Sequence, residues 1–176
     1  MGMKPDEFFT AFVIGNLDDC VEDPSCLRRA FNAAVSASHM ADHYFAYNLR
    51  SNPSVVSQWP STGSFVRHVI RETGGAFGDI RSISNAYKHL YEHRKKGRPA
   101  EWTVASGGSL ESVEFEGTMR PLQSVEADLA GPDERFAVVF RRRDGSRGEF
   151  IPTLQAVVQF WEGILWPRPQ GGQSDA

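Results

Sequence analysis

Arg81, Asn85 and His89 recur every four residues in "DIRSISNAYKHLYEH", Asp79 to His93, a set of polar side chains fit for a working surface. Each residue of an α-helix turns about 100°, so positions four apart drift by about 40° and share a face. Arg81, Asn85, His89 and His93 therefore form one stripe, with Ser82 and Ala86 beside it. Phe77, Ile80, Ile83, Tyr87, Leu90 and Tyr91 fall on the opposite side, so the stripe is expected to face away from the core. A face selected only for solubility carries long Lys and Glu; Ser82, Asn85, Ala86 and His89 are short or uncharged, as expected where another surface approaches. Asn85 is a poor helix former in mid-helix, which calls for a hydrogen-bonding reason. The plain alternative is a solvated helix face.

A second cluster lies in "SASHMADHYF", Ser36 to Phe45. The same angular count puts Ser38 and Asp42 among Phe31, Val35, Phe45 and Leu49, on the apolar side, with His39 and His43 at the edge beside Asn32 and Ser36. A carboxylate on an apolar face needs a partner, because burying it alone costs several kcal/mol. His39, Arg81 and Lys88 are the candidates, and a purely structural bridge would satisfy it equally.

The pairs His39/His43 and His89/His93 also admit a metal reading, since i, i+4 imidazoles can share one ion in a helical bundle. "HLYEH" matches the letters H-x-x-E-H, but "EHRKKGR" surrounds it with positive charge and no third carboxylate ligand stands out. "GGAFG", Gly74 to Gly78, lacks the preceding strand and following Lys of a phosphate loop and reads as a corner between helices. "HRKKGRP" and "RRRDGSR" are basic clusters that read as a solvated helix end and an exposed hairpin. No G-x-S-x-G frames a nucleophile.

These residues need helices to position them. "PDEFFTAFVIGNLDDCVE" opens with Pro5 and acids, groups Phe8, Phe9, Phe12, Val13 and Ile14 near one side, and breaks at Pro24, predicting a first helix. Ser25 to Arg50 has no Pro or Gly, and Leu27, Phe31, Ala34, Ala41, Phe45 and Leu49 recur at helical spacing. A short helix with Val55, Val56 and Trp59 follows, then one ending at Gly74 and Gly75, then Asp79 to Arg94. After Gly97 the pattern changes. "WTVAS", "SVEFEGTM", "QSVEADL" and "RFAVVFRRR" are short and partly alternating, and "DGSRG" reads as a hairpin turn before "EFIP". "PTLQAVVQFWEGILW" returns to helical spacing, with Leu154, Val157, Val158, Trp161 and Leu165 on one side.

The fold expected is mainly α: a bundle of four or five helices with a small antiparallel β-sheet or hairpin appendage in the C-terminal half. One domain is expected over residues 1–166, divided into a helical bundle (1–97), a small β-region (98–151) and a C-terminal helix (152–166), with a disordered tail at 167–176. The chain has 176 residues, 40% of them hydrophobic, enough for one core. Its net charge of -3 argues against wholesale coating of nucleic acid while allowing a local basic patch. Acids interrupt the N-terminus before any long apolar run, so neither a signal peptide nor a membrane span is expected and the location expected is cytoplasmic. Cys20 and Cys26, in "CVEDPSC", fit neither a zinc knuckle nor a redox pair and are expected as free thiols.

The pairing of "HMADH" on a long early helix with "DIRSISNAYKHL" on a later one resembles prokaryotic helical proteins carrying an H-x-x-D element and an R-x-x-x-N-x-x-K-H-like element. Some of these look like relatives of the HEPN superfamily (higher eukaryotes and prokaryotes nucleotide-binding domain). The resemblance covers residues 25 to 93, with "FW" in "VVQFWEGIL" as a loose echo. It implies a nucleic-acid-associated or defence-type helical domain, often a homodimer, which in active members is a ribonuclease that cleaves RNA without a metal or other cofactor. Active members use an Arg and a His on one helix, which would be Arg81 and His89 here. Their spacing is wider than the family's, and Ser82 stands where an Asn commonly follows the Arg, with Asn85 further along. Asn85 would orient His89 or the phosphate, and His39 and Asp42 would support the site if the two helices touch through that edge. The alternatives from other classes are a metal-binding bundle using His39, His43, His89 and His93, and a non-catalytic dimeric interaction module.

Overall fold

The computed structural model describes residues 2–88, 103–104, 109–115 and 135–167. Its architecture is the one the spacing predicts: a helical bundle with a three-stranded antiparallel sheet in the C-terminal half. The segments 89–102, 105–108, 116–134 and 168–176 lie outside the described residues, and with them His89, His93, all of "HRKKGRP", the predicted strand "QSVEADL" and the tail beyond Pro167.

The first helix is continuous but not uniform. α1 (Pro5–Phe8) passes into a π-helical turn, Phe9–Ile14, and then into α2 (Gly15–Glu22). Pro5 and the acids Asp6 and Glu7 suit a helix start, and Glu7 accepts the Lys4 N–H at 2.9 Å. The wider π turn shifts the angular phase, so Phe9 and Val13 are buried while Phe12 stays 44% exposed. The grouping of all five apolar residues on one side is thereby corrected. Cys20 and Cys26 are free thiols, and burial pushes the Cys20 thiol up to about 12.

α3 (Leu27–Ser51) packs against the N-terminal helix, α4 (Thr62–Glu72), α5 (Ala76–Lys88) and α6 (Phe150–Leu165). Its buried face is Ala30, Ala33, Ala34, Ala37, Met40, Ala41 and Phe45, whereas Leu27 and Leu49 are exposed. Small side chains let neighbouring helices approach closely, so the alanines rather than the leucines mark the inward side. Asn52 ends the helix, and a 3₁₀ turn, Pro53–Val56, buries Val56. Ser61 then caps α4 by accepting the Ser64 N–H at 3.2 Å.

α4 ends at Glu72, and Gly74 and Gly75, with φ values of 58° and 95°, make the corner that "GGAFG" predicts. α5 begins at Ala76, three residues before the expected start. It is enclosed on more sides than its polar letters suggest: Asp79, Ser82, Ser84 and Ala86 are buried along with Phe77, Ile80 and Ile83. Ser82 and Ala86, expected beside an outward stripe, therefore point into the protein.

The sheet runs β1 (Leu110–Phe115), β2 (Arg135–Arg141), β3 (Arg147–Glu149) in that order, with Val113 opposite Ala137 and Phe140 opposite Gly148. Gly145, at φ 87°, closes the β2–β3 hairpin within "DGSRG". The chain passes directly from β3 into α6, two residues earlier than the expected 152. Leu154, Val157, Val158 and Trp161 are buried as the spacing predicts, and Trp161 lies against Tyr44 and Phe65. No described helix is long and apolar enough to cross a membrane.

Candidate functional site

α3 and α5 meet through a salt bridge. Arg81 donates to Asp42 Oδ2 at 3.0 Å and Oδ1 at 3.5 Å, and its Nη1 also donates to the Ser38 carbonyl at 3.3 Å. Arg81, one of the three candidates for Asp42, thus bonds it. Both side chains keep partial access to water, at 30% and 41%. Pairs this open contribute about 0–1 kcal/mol, but the two-pronged contact holds the guanidinium in a fixed plane.

This pair forms one wall of a cavity of about 430 Å³. Asn85 and Ser82 line it from α5, and Thr62, Gly63 and Arg67 from α4. Arg81 and Asn85 therefore open together onto a recess between three helices, rather than onto a convex surface. Gly78 of α5 faces Ile70 of α4, where an added methyl group would make ordinary van der Waals contact. Ser82 also accepts the Thr103 backbone N–H at 2.9 Å, which ties this helix face to the β-region.

His39 is not on this cavity. It is exposed and lines a second groove, of about 440 Å³, with Phe8, Phe12, Asn16, Asn32, Val35 and Ser36. Asp42 and His39, expected together behind the site, therefore face different recesses of the protein. His43 stacks on Phe8 at 4.8 Å between ring centroids, with Nε2 3.0 Å from the Met3 carbonyl. Among the described residues no group of three or more His, Cys, Asp or Glu side chains could hold a metal ion. The His89 and His93 half of the metal reading lies outside them.

Beside the cavity is a polar cluster that the letters did not reveal. Asp79, 6% exposed, accepts Arg142 Nε at 3.0 Å and Nη2 at 2.6 Å, and the Thr103 hydroxyl at 2.6 Å. Arg142 also lies over the Phe140 ring at 5.0 Å. The bond to Asp79 chiefly raises the Arg142 guanidinium above its usual range. "RRRDGSR" is thus not simply an exposed hairpin, since one of its arginines reaches inward to clamp the β-region onto α5. Only the coincidence of a first-turn acid in α5 with a basic run 63 residues later could have suggested it.

Comparison with family models, with curated proteins and with solved structures found no match.

Proposed function

We propose that the chain is an HEPN-like domain that binds RNA and cleaves it without a metal, acting as a homodimer. The observation that supports this is the cavity between α3, α4 and α5, where Arg81, fixed by Asp42, lies beside Asn85. A preset guanidinium loses little freedom when an anion arrives, so it can favour the charged transition state over the ground state. Asp42 is then a positioning residue acting through Arg81. His89 follows Asn85 by four residues in the sequence and supplies the imidazole.

In the reaction, the ribose 2′-oxygen bonds to the adjacent phosphorus as the bond to the 5′-oxygen breaks. The 2′-hydroxyl proton passes to His89, and the leaving 5′-oxygen takes a proton from solvent. The products are a cyclic 2′,3′-phosphate and a free 5′-hydroxyl. Arg81 neutralises charge on the non-bridging oxygens, and Asn85 orients the phosphate or the imidazole.

The test incubates end-labelled single-stranded RNA with the chain in EDTA. Cleavage with cyclic phosphate ends is expected, slowed about a hundredfold or more in Arg81→Ala and His89→Ala, while light scattering reports a dimer for each protein. Absence of both cleavage and RNA binding in the unmodified chain sinks the reading.

A further inference from the structure

The cavity carries a cation that its own residues do not neutralise. Asp42 is the one carboxylate among its lining residues, and it is taken by Arg81. Arg67, on α4, is exposed and makes no ion pair or hydrogen bond among the described residues. Phe65, Val66 and Val69 bury the inward face of α4, so packing does not require an Arg at position 67. Its Nη1 nevertheless lies back along the helix, 3.9 Å from where a side chain on Gly63 would begin. The guanidinium thus lines the cavity wall with all its donors available.

We propose that Arg67 is the phosphate-binding residue of this cavity, taking one phosphate group between itself and the Arg81–Asp42 pair. This deepens the RNA reading and rests on it for the identity of the ligand, though not for the existence of the site. A planar fork of N–H donors matches two phosphate oxygens, which a lone ammonium does less specifically. Thr62 and Asn85 add neutral hydrogen-bonding groups to the same recess. The volume falls in the range of small-ligand pockets, so the site takes a single phosphate-bearing unit. Division of labour follows: Arg67 captures, and Arg81, already paired, stays in place.

The test titrates the full chain with inorganic phosphate at constant ionic strength, with chloride as the screening control, and separately with a short single-stranded RNA. Arg67→Gln is expected to weaken both by about tenfold or more with thermal stability unchanged, and Arg67→Lys to lose less. If the unmodified chain does not bind phosphate, or Arg67→Gln binds it equally well, the assignment is overturned. If phosphate binding depends on Arg67 but RNA is neither bound nor cut, the RNA reading falls and the site belongs to a small phosphate compound. If RNA is cut equally well by Arg67→Gln, the RNA reading stands and the role of Arg67 falls.

Discussion

Two aspartates thirty-seven residues apart in sequence show how differently the same side chain can act. Asp42 and Arg81 share a half-open contact, whereas Asp79 sits almost dry beneath Arg142 and Thr103. Removing one partner of a buried pair leaves the other charge uncompensated, so Asp79→Asn is expected to cost about 3 kcal/mol. Asp42→Asn is expected to cost less than about 1 kcal/mol while lowering RNA cleavage. Urea unfolding of the two variants measures the contrast, and equal losses would show that exposure does not govern these pairs. Arg81 was legible in the sequence as one of three candidate partners, but the premise was not met, since Asp42 is 41% exposed at a cavity wall rather than buried on an apolar face. Asp79 was not legible. An acid in the first turn of a helix already has a local reason to be there, so nothing in its surroundings advertises a distant partner. Arg67 was silent for a related reason: an Arg on the outer side of an amphipathic helix looks like any solubilising residue until a neighbouring helix makes that side concave.

Helix boundaries and inward faces followed largely from spacing, and the departures share one cause. Periodicity weighs polarity, while packing also weighs size. On α3 the alanines, and on α5 Gly78, Ser82, Ser84 and Ala86, are small enough to lie where another helix approaches closely, so those faces turn inward despite weak hydrophobicity. The short residues of α5 did signal an approaching surface, which proved to be other elements of the same chain. The π turn was invisible because a constant 100° step cannot register a change of pitch within one helix. Size also decides the hairpin. Gly148, opposite Phe140, lies directly under that buried ring, and an added methyl group would collide with it. Gly148→Ala is therefore expected to destabilise by about 1–3 kcal/mol, read as a lower urea midpoint with an unchanged slope. A neutral result would mean that Phe140 has room to shift.

The molecule as a whole joins its helical and β parts through one set of buried contacts. Phe140 of β2, Phe150 and Trp161 of α6, and Ile80 and Ile83 of α5 belong to the same cluster, and the Pro24 carbonyl accepts the Val138 N–H at 2.9 Å. Helix loss by circular dichroism and Trp fluorescence are expected to follow a single urea transition. Two separated transitions would mean that the sheet is an independent appendage. The general class, helices with a small antiparallel sheet, was legible because the change from helical to alternating spacing is abrupt near Gly97. How the two parts interlock was not, since contacts across that distance leave no local pattern.

The clamp between Asp79 and Arg142 has a consequence for the order of events on the ribosome. Residue 79 leaves the exit tunnel while residue 142 has yet to be joined to the chain, at synthesis rates of about 5–20 residues per second. During that interval α5 carries a carboxylate with no arginine to meet it, and Trp161, which fills the centre of the bundle, does not yet exist. The nascent helix lacks the counter-charge that bonds Asp79 in the finished fold. The α5 wall of the recess, with Arg81 and Asn85, therefore gains the clamp at Asp79 only after residue 142 has been added to the chain.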